Sequence, residues 1–391
     1  MNLPPPPPET IADYLHAPGT LRRDAAWCRL APDHIAAIET AAAELLRRPD
    51  RLADLARCAS SLTEPGAWDG AAWRDTPRDA SAGERFFLIL PLLQRVRGLR
   101  DWYAARSIPE AVLLDTLSDL TIWIETNRER SGLPGFREIG WLREHFSGRV
   151  IRLGRLQFQP ALFGHPLFVL RNCRSRAVCL VAGAGHGITP QGIYADSEGA
   201  AGPVTELVCE EEGGEIRRGH VVQADGRIAA APTVFASDAW RRELAPGDAV
   251  LALHIPAGAP LDPVACRDAF RQAETFYPRH FSDLPAARAV TCSSWLLYPG
   301  LCDLLPPDAN IVRFQHAFHR FPVAGATSRQ TIERAFPGGV LPPDRGALRS
   351  TLQRRLFDHI RQGHAPIGAG GLVLPPFSQD AFSRDDPAGG A

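Results

Sequence analysis

Apolar positions recur at helical spacing over the first part of the chain and alternate in strand fashion over most of the second, and the change of period falls near Arg149. Over residues 32–48, Ala36, Ile38, Ala41 and Leu45 recur at helical spacing. Pro32 opens that segment and Asp33 lies in its first turn, which predicts a helix start. A second helix is predicted at about 50–60. Beyond a loop at 62–83 rich in Gly, Pro, Asp and Trp, an apolar stretch over 84–106 carries Phe87, Leu90, Leu93, Val96 and Leu99, which reads as a buried helix kinked at Pro91. Pro109 stands where a helix start tolerates a missing N–H, and Val112, Leu113, Thr116, Leu120, Trp123 and Ile124 form the next apolar face. The first part of the chain is therefore predicted to be an all-helical bundle.

From Arg149 onward, RVIRLGRLQFQ alternates Val150, Arg152, Gly154 and Leu156 against Ile151, Leu153, Arg155 and Gln157. RAVCLVAG, EIRRGHVVQ, RIAAAPTVF and DAVLALHIP read as short strands separated by turns such as Asp225-Gly226. A helix over 262–276, with Ala265, Ala269, Ala273 and Phe276 at helical spacing, interrupts them; the strand RAVTCSSWLL, a short helix and the strand NIVRFQHAF follow. A last amphipathic helix is predicted over about 345–364, ahead of a Gly-rich tail, GAGG, at 368–371. No repeat with a period of 20 to 50 residues is visible. The fold class expected is α+β: a helical domain at 1–146, a mixed-sheet domain with flanking helices at 147–377, and a disordered tail at 378–391.

Composition narrows the class. A chain of 391 residues is long enough for two cores. With 43 basic and 44 acidic residues the net charge is −1, so long-range attraction to nucleic acid or to an anionic membrane is not expected. No apolar run approaches the roughly 18 residues of a membrane span, and the start MNLPPPPPE lacks the basic and apolar regions of a signal peptide, which makes the cytoplasm the expected location. The eight cysteines form no CxxC pair and no regular spacing, so free thiols are expected rather than a disulfide frame or a zinc site. No oligomeric state follows from these patterns.

The most informative segment for chemistry is AVLALHIPAGAPLDPVACRDAF, a strand from Ala249 that runs through a small-residue loop into the helix from Asp262. The N–H groups and positive dipole end of such a helix suit an anion, and Ala257, Gly258 and Ala259 let a diphosphate approach the backbone. His254 ends the strand, where a neutral imidazole is a candidate proton acceptor or a strand cap. Alternation puts Cys292 and Ser294 on one face of the next strand and Ser293 with Trp295 on the other. Arg152 and Arg155 fall on opposite faces of theirs, so at most one points into a cleft. Glu210, Glu211, Glu212 and Glu215 read as an exposed hairpin. GAGHG at 183–187 lacks the spacing of a dinucleotide fingerprint and leads into a loop, leaving His186 as a turn residue. His316 and His319 fall on one predicted strand and do not form a helical metal pair, and no metal site is expected.

HIPAGAPLDPVACRDAF at 254–270 and CSSWLLYPGLCDLLPPDANIVRF at 292–314, together with GRLQFQ at 154–159, GIYADSEGA at 192–200, GHVVQADGRI and the Pro246-Gly247-Asp248 turn, resemble the GNAT-like C-terminal domain of bacterial acyltransferase-domain proteins. The helical first half is similar to their N-acyltransferase N-terminal domain. The resemblance implies a sheet in which the strands at 249–256 and 288–297 flank a V-shaped gap for pantetheine. It also implies pyrophosphate at the loop of Ala257, Gly258, Ala259 and Leu261, and an acyl-CoA or acetyl-CoA co-substrate whose acyl group passes to the amine of a small molecule or peptide. Under that reading His254 is the candidate base, Tyr298 protonates the departing thiolate, and Cys292 is a candidate nucleophile. The chain departs from the usual phosphate loop, which has Gln or Arg, two residues, Gly, one residue, then Gly or Ala; Pro256-Ala257-Gly258-Ala259 is shorter and includes a proline. Two other readings follow from that departure and from the thiol and hydroxyls at 292–294: a GNAT-like protein that binds without catalysis, and a hydrolase using Cys292 or Ser294 with His254.

Overall fold

The computed structural model describes residues 3–62, 81–133, 135 and 139–380. The chain folds into two compact units, one comprising Met1–Gln159, Ile255–Ala259 and Phe276–Leu284 and the other Pro160–His254, Pro260–Thr275 and Pro285–Ala391.

The first unit begins with nine helices among the described residues: α1 (Ile11–His16), α2 (Thr20–Trp27), α3 (Pro32–Leu45), α4 (Pro49–Ser61), α5 (Ala82–Phe86), α6 (Ile89–Ala105), α7 (Glu110–Leu117), α8 (Asp119–Ser131) and α9 (Ile139–Phe146). A hairpin of β1 (Ile151–Leu153) and β2 (Leu156–Leu162) follows, with Ile151 opposite Phe158. No described residue before Ile151 lies in a strand, as the helical spacing predicts. The apolar stretch at 84–106 is divided rather than kinked at Pro91. α6 starts at Ile89, which places Pro91 in a first turn whose N–H groups have no helical partner anyway, so the proline costs no bond. Asp119, 1% exposed, receives hydrogen bonds from the Trp123 Nε1 at 3.0 Å, the Trp141 Nε1 at 3.0 Å and the Gln157 Nε2 at 2.8 Å. A buried carboxylate is tolerated only with such donors, and these three tie α8 to α9 and β2.

In the second unit β3 (Leu167–Asn172), β4 (Val178–Ala182), the two-residue strands β5 (Gly187–Ile188) and β6 (Thr205–Glu206), β7 (Cys209–Glu212), β8 (Glu215–Val222), β9 (Thr233–Val234) and β10 (Trp240–Leu244) come first. They build an antiparallel sheet in the order β10–β3–β4–β8–β7, with β9 on β8 and a separate β5–β6 ribbon. Of the segment RIAAAPTVF only Thr233 and Val234 form a strand, while Ile228 bridges Val222.

The chain continues through β11 (Ala249–His254), α10 (Pro263–His280), β12 (Val290–Ser294), α11 (Leu301–Leu304), α12 (Asn310–His316), β13 (His319–Pro322), α13 (Arg329–Ala335), α14 (Thr351–Arg361), β14 (Ala369–Val373) and α15 (Phe377–Asp380). β11, β12, β14 and β13 are neighbours in that order, β11 and β12 parallel and the rest antiparallel. Leu167, Val169, Leu180 and Leu244 of the antiparallel sheet share a core with Val250, Ala289, Phe321 and Leu372.

Two expectations are overturned here. NIVRFQHAF is not a strand: 310–316 is helical, burying Val312, Phe314 and Gln315, and the Gln315 Nε2 donates to the carbonyls of Leu296 and Tyr298 at 2.8 Å each. GAGG is not a tail: Ala369, Gly370 and Gly371 belong to the buried strand β14, which lies between β12 and β13. Its glycines are required by packing, because a Cβ on Gly370 would lie 2.1 Å from the Phe321 Cε2 and one on Gly371 would lie 2.9 Å from the Phe318 Cβ. The last helix is shorter than its amphipathic pattern, starting at a Ser350–Gln353 capping box. Residues 63–80 of the predicted loop and 381–391 of the predicted tail lie outside the described residues.

Gly370→Ala should lower stability by about 1–3 kcal/mol, the usual cost of overpacking, because both faces of β14 are filled. Gly140→Ala, where the added carbon meets nothing within 4 Å, should leave stability unchanged or slightly higher. Urea denaturation of the two variants checks this, and equal midpoints would refute the packing account of β14.

Candidate functional site

β11 and β12 pair in parallel through only two positions, Leu251 with Val290 and Ala252 with Thr291. α10 begins in the connection between them. Beyond those pairs β12 stays with β14, Ser293 opposite Gly370 and Ser294 opposite Ala369, while β11 runs on to His254. The two strands therefore part at their carboxyl ends, where open α/β sheets take ligands.

Strand alternation sorts the side chains around this parting. Val250, Ala289 and Leu372 lie in the core shared by the two sheets, so Ala252, His254, Thr291 and Ser293 face the same way. Leu251, Leu253, Val290 and Cys292 face the other side, where Phe318, close to Gly371, meets Phe270 of α10 with ring centroids 6.2 Å apart.

Ser293 is exposed, and its Oγ lies 3.1 Å from the Nε2 of His165, which stands in the turn between β2 and β3. The His165 ring packs edge-on against Phe163 at 5.6 Å and Phe321 at 4.9 Å. Burial lowers its pKa and so favours the neutral ring. Sequence reading missed His165: it stands alone in LFGHP, without spacing or motif to mark it, and only the fold brings it to Ser293.

His254, half-buried, ends β11 on the same face. Cys292 lies on the opposite face, 3% exposed, and burial pushes its thiol pKa up to about 12. That environment opposes the thiolate a nucleophile requires, the physical reason against the role read for it from sequence. Ser294 turns its hydroxyl to the Leu296 N–H at 3.1 Å, ending the strand and starting a 3-10 turn. Tyr298 follows that turn, half-buried, its hydroxyl 2.8 Å from the Nε2 of His359 on α14. The His359 ring stacks on His364 with centroids 4.2 Å apart. Burial, and then Asp303, raise the pKa of Tyr298; burial, and then His364, lower that of His359.

The loop that continues β11 is shaped by its backbone. Gly258 has φ +90°, a conformation that costs a side-chain-bearing residue strain, and nothing stands within 4 Å of where a Cβ would be. Arg155, 8% exposed, donates to the carbonyls of Pro256 at 2.9 Å and Ala259 at 2.7 Å, so its guanidinium shapes this loop. Ala257 and Ala259 flank Gly258, and Leu261 is buried. At the start of α10 the Asp262 carboxylate accepts from the Ala265 N–H at 2.8 Å, and Pro263 has no N–H to offer. His186 lies edge-on to Tyr194. His316 belongs to α12 and His319 to β13, and no cluster of three metal-ligating side chains occurs among the described residues.

With this geometry in place, comparison with known proteins defines the class. Residues 150–373 match the GNAT-like C-terminal domain and residues 20–148 the N-acyltransferase N-terminal domain. The chain belongs to the GNAT-like C-terminal domain family and carries the N-acyltransferase N-terminal domain ahead of it. Among solved structures it is similar to an acyltransferase in complex with decanoyl-CoA and teicoplanin (21% identity, 90% of this chain and 87% of that one, TM-score 0.62). It is similar also to an acyltransferase in complex with decanoyl-CoA (23%, 95% and 92%, 0.62) and to an acyltransferase mutant in complex with octanoyl-CoA (21%, 93% and 93%, 0.61). These likenesses show the shared fold. No curated protein matches the chain in sequence.

The histidines give a pH prediction. His145, His165 and His359 all have pKa values lowered by burial, so the folded protein binds fewer protons than the unfolded chain once the pH falls below the ordinary histidine value of about 6.5. Stability should therefore be retained above that value and lost as the pH drops through the folded pKa values. Thermal melts should give a lower Tm at pH 5.5 than at pH 7.5, with a smaller difference in His145→Gln; a Tm that rises toward pH 5.5 would contradict the assignment.

Proposed function

We propose that the protein transfers an acyl group from an acyl-CoA to an amine. The observation that carries this reading is the parallel pair β11 and β12, flanking α10 in sequence and parting after two register pairs. His254 and the Ser293–His165 pair line one face of that opening. Family membership supports the reading, as do the structural neighbours, which hold decanoyl-CoA or octanoyl-CoA.

The end of β11, past its last register pair with β12, is proposed to lie along the pantetheine arm. The N–H groups of Ala257, Gly258, Ala259 and Leu261 are proposed to meet the diphosphate, with Gly258 keeping the approach clear of side chains. A thioester is already reactive, so the remaining work is to hold the amine against the carbonyl carbon and accept its proton. Two histidines on one face, His254 and His165, are placed for that acceptance. Tyr298, held by His359, is the proposed donor to the departing sulfur. One neighbour holds teicoplanin beside its acyl-CoA, which favours an amine acceptor of small-molecule or peptide character. The buried Cys292 has no part in this scheme.

A second reading, binding without catalysis, is favoured by one observation: the Asp262 carboxylate already occupies an N–H group at the start of α10. Calorimetric titration with decanoyl-CoA separates the two. Wild type should bind, and Gly258→Val, strained at φ +90° and bulky where the diphosphate would lie, should bind at least roughly tenfold more weakly while keeping the wild-type circular dichroism spectrum. Unchanged affinity in a folded Gly258→Val protein removes the diphosphate from this loop, and a wild type without affinity for decanoyl-CoA makes the second reading the better account.

A further inference from the structure

The proposed function leaves the proton acceptor between two histidines, and the packing around Ser293 distinguishes them. Gly370, opposite Ser293 on β14, lacks the side chain that would fill this face, and the ring of Phe321 occupies the space. His165 leans on that ring, and its Nε2 meets the Ser293 hydroxyl at 3.1 Å. An exposed hydroxyl is thus hydrogen-bonded to an imidazole that is itself half-buried among aromatic side chains. Burial lowers the His165 pKa and so favours the neutral ring, whose Nε2 can accept the serine proton in the tautomer protonated at Nδ1.

We infer that His165 is the proton acceptor of the acyl transfer and that Ser293 carries the proton to it. The inference rests on the acyl-transfer reading. The amine lone pair attacks the thioester carbonyl carbon. As the C–N bond forms, the nitrogen gives one proton to the Ser293 Oγ, which passes its own proton to the His165 Nε2. The C–S bond breaks with its electron pair on sulfur, the sulfur takes a proton from water or from Tyr298, which then regains one from solvent, and the imidazolium returns its proton to solvent. Ser293 touches the acceptor nitrogen; Phe163, Phe321 and Gly370 hold the ring behind it.

The test measures CoA release from decanoyl-CoA with glycinamide as acceptor, and with water alone, where a water molecule would lose its proton along the same route. His165→Gln and Ser293→Ala should each lower kcat by roughly 100-fold, the scale of general-base catalysis, while the calorimetric Kd for decanoyl-CoA stays within about twofold. Wild type should lose kcat/KM as the pH falls below the His165 pKa, His165→Gln should lack that limb, and free imidazole should restore part of the activity of His165→Ala. Ser293→Thr, which keeps the hydroxyl, should retain most of the rate. A His165→Gln protein that binds decanoyl-CoA and keeps the wild-type rate and pH profile overturns the inference and leaves acyl transfer standing, as does a His254→Gln protein that alone loses the acid limb. Should His165→Gln misfold, Ser293→Ala, a small change at an exposed position, decides the matter by the same readouts. A wild type that releases CoA neither to glycinamide nor to water overturns the acyl-transfer reading and this inference with it.

Discussion

The site depends on how little of β11 and β12 is paired. Two register positions hold the strands parallel, and beyond them β12 follows β14 while β11 leaves. On its other edge β12 is paired with β14 along its whole length, where the β14 glycines let Phe321 and Phe318 lie against the backbone. β14 in turn pairs with β13 along its other edge. β11 and β12 thus share a ladder over two positions only and have no register pair at their carboxyl ends.

Buried charge serves position in the other unit. Asp119 collects two indole N–H groups and one amide N–H, and Arg155 gives N–H groups to two carbonyls of the loop at 255–259. Neither arrangement is strong evidence of net stabilisation, since desolvating a charge costs about as much as good hydrogen bonds return. Their effect is geometric. Satisfying Asp119 requires Trp123, Trp141 and Gln157 to converge, and satisfying Arg155 requires Pro256 and Ala259 to turn their carbonyls the same way, so the path of the loop after His254 is specified by polar satisfaction rather than by apolar packing.

Much of this architecture was legible in the alternation and spacing of apolar residues. The helical run to Phe146, the strand through Leu251 and the helix after Asp262 are each long enough, or regular enough, for period alone to identify them. Three features were not legible, for separate reasons. GAGG carries no side-chain pattern, so a strand whose function is to be thin looked like a tail. NIVRFQHAF buries Val312, Phe314 and Gln315, a spacing that suits a short helix as well as a strand, and the Gln315 amide that settles the choice bonds to residues 296 and 298. His165 is separated by 128 positions from the serine it meets, so no local signal of either residue announces the pair. Of the residues singled out from sequence, Tyr298 has in His359 a partner that only tertiary structure supplies.

The two hydroxyl–imidazole pairs place unequal demands on the chemistry. Tyr298 has a pKa raised above the tyrosine value of about 10, whereas a free thiol titrates near 8.5, so a proton passing from Tyr298 to a CoA thiolate runs uphill. A thiolate is stable enough to leave without it, and solvent can protonate it later. The amine has no such latitude. Its nitrogen carries positive charge as soon as it attacks, and unless a proton departs, the intermediate expels the amine again rather than the sulfur. An alkylated nitrogen bonded to a tetrahedral carbon bearing sulfur and oxygen is more acidic than the free ammonium, so even a base weakened by burial suffices, provided it is neutral at the moment of attack. In the proposed scheme, packing of His165 against Phe163 and Phe321 meets that condition: burial lowers its basicity, which acyl transfer can spare, and favours the uncharged imidazole that acyl transfer needs.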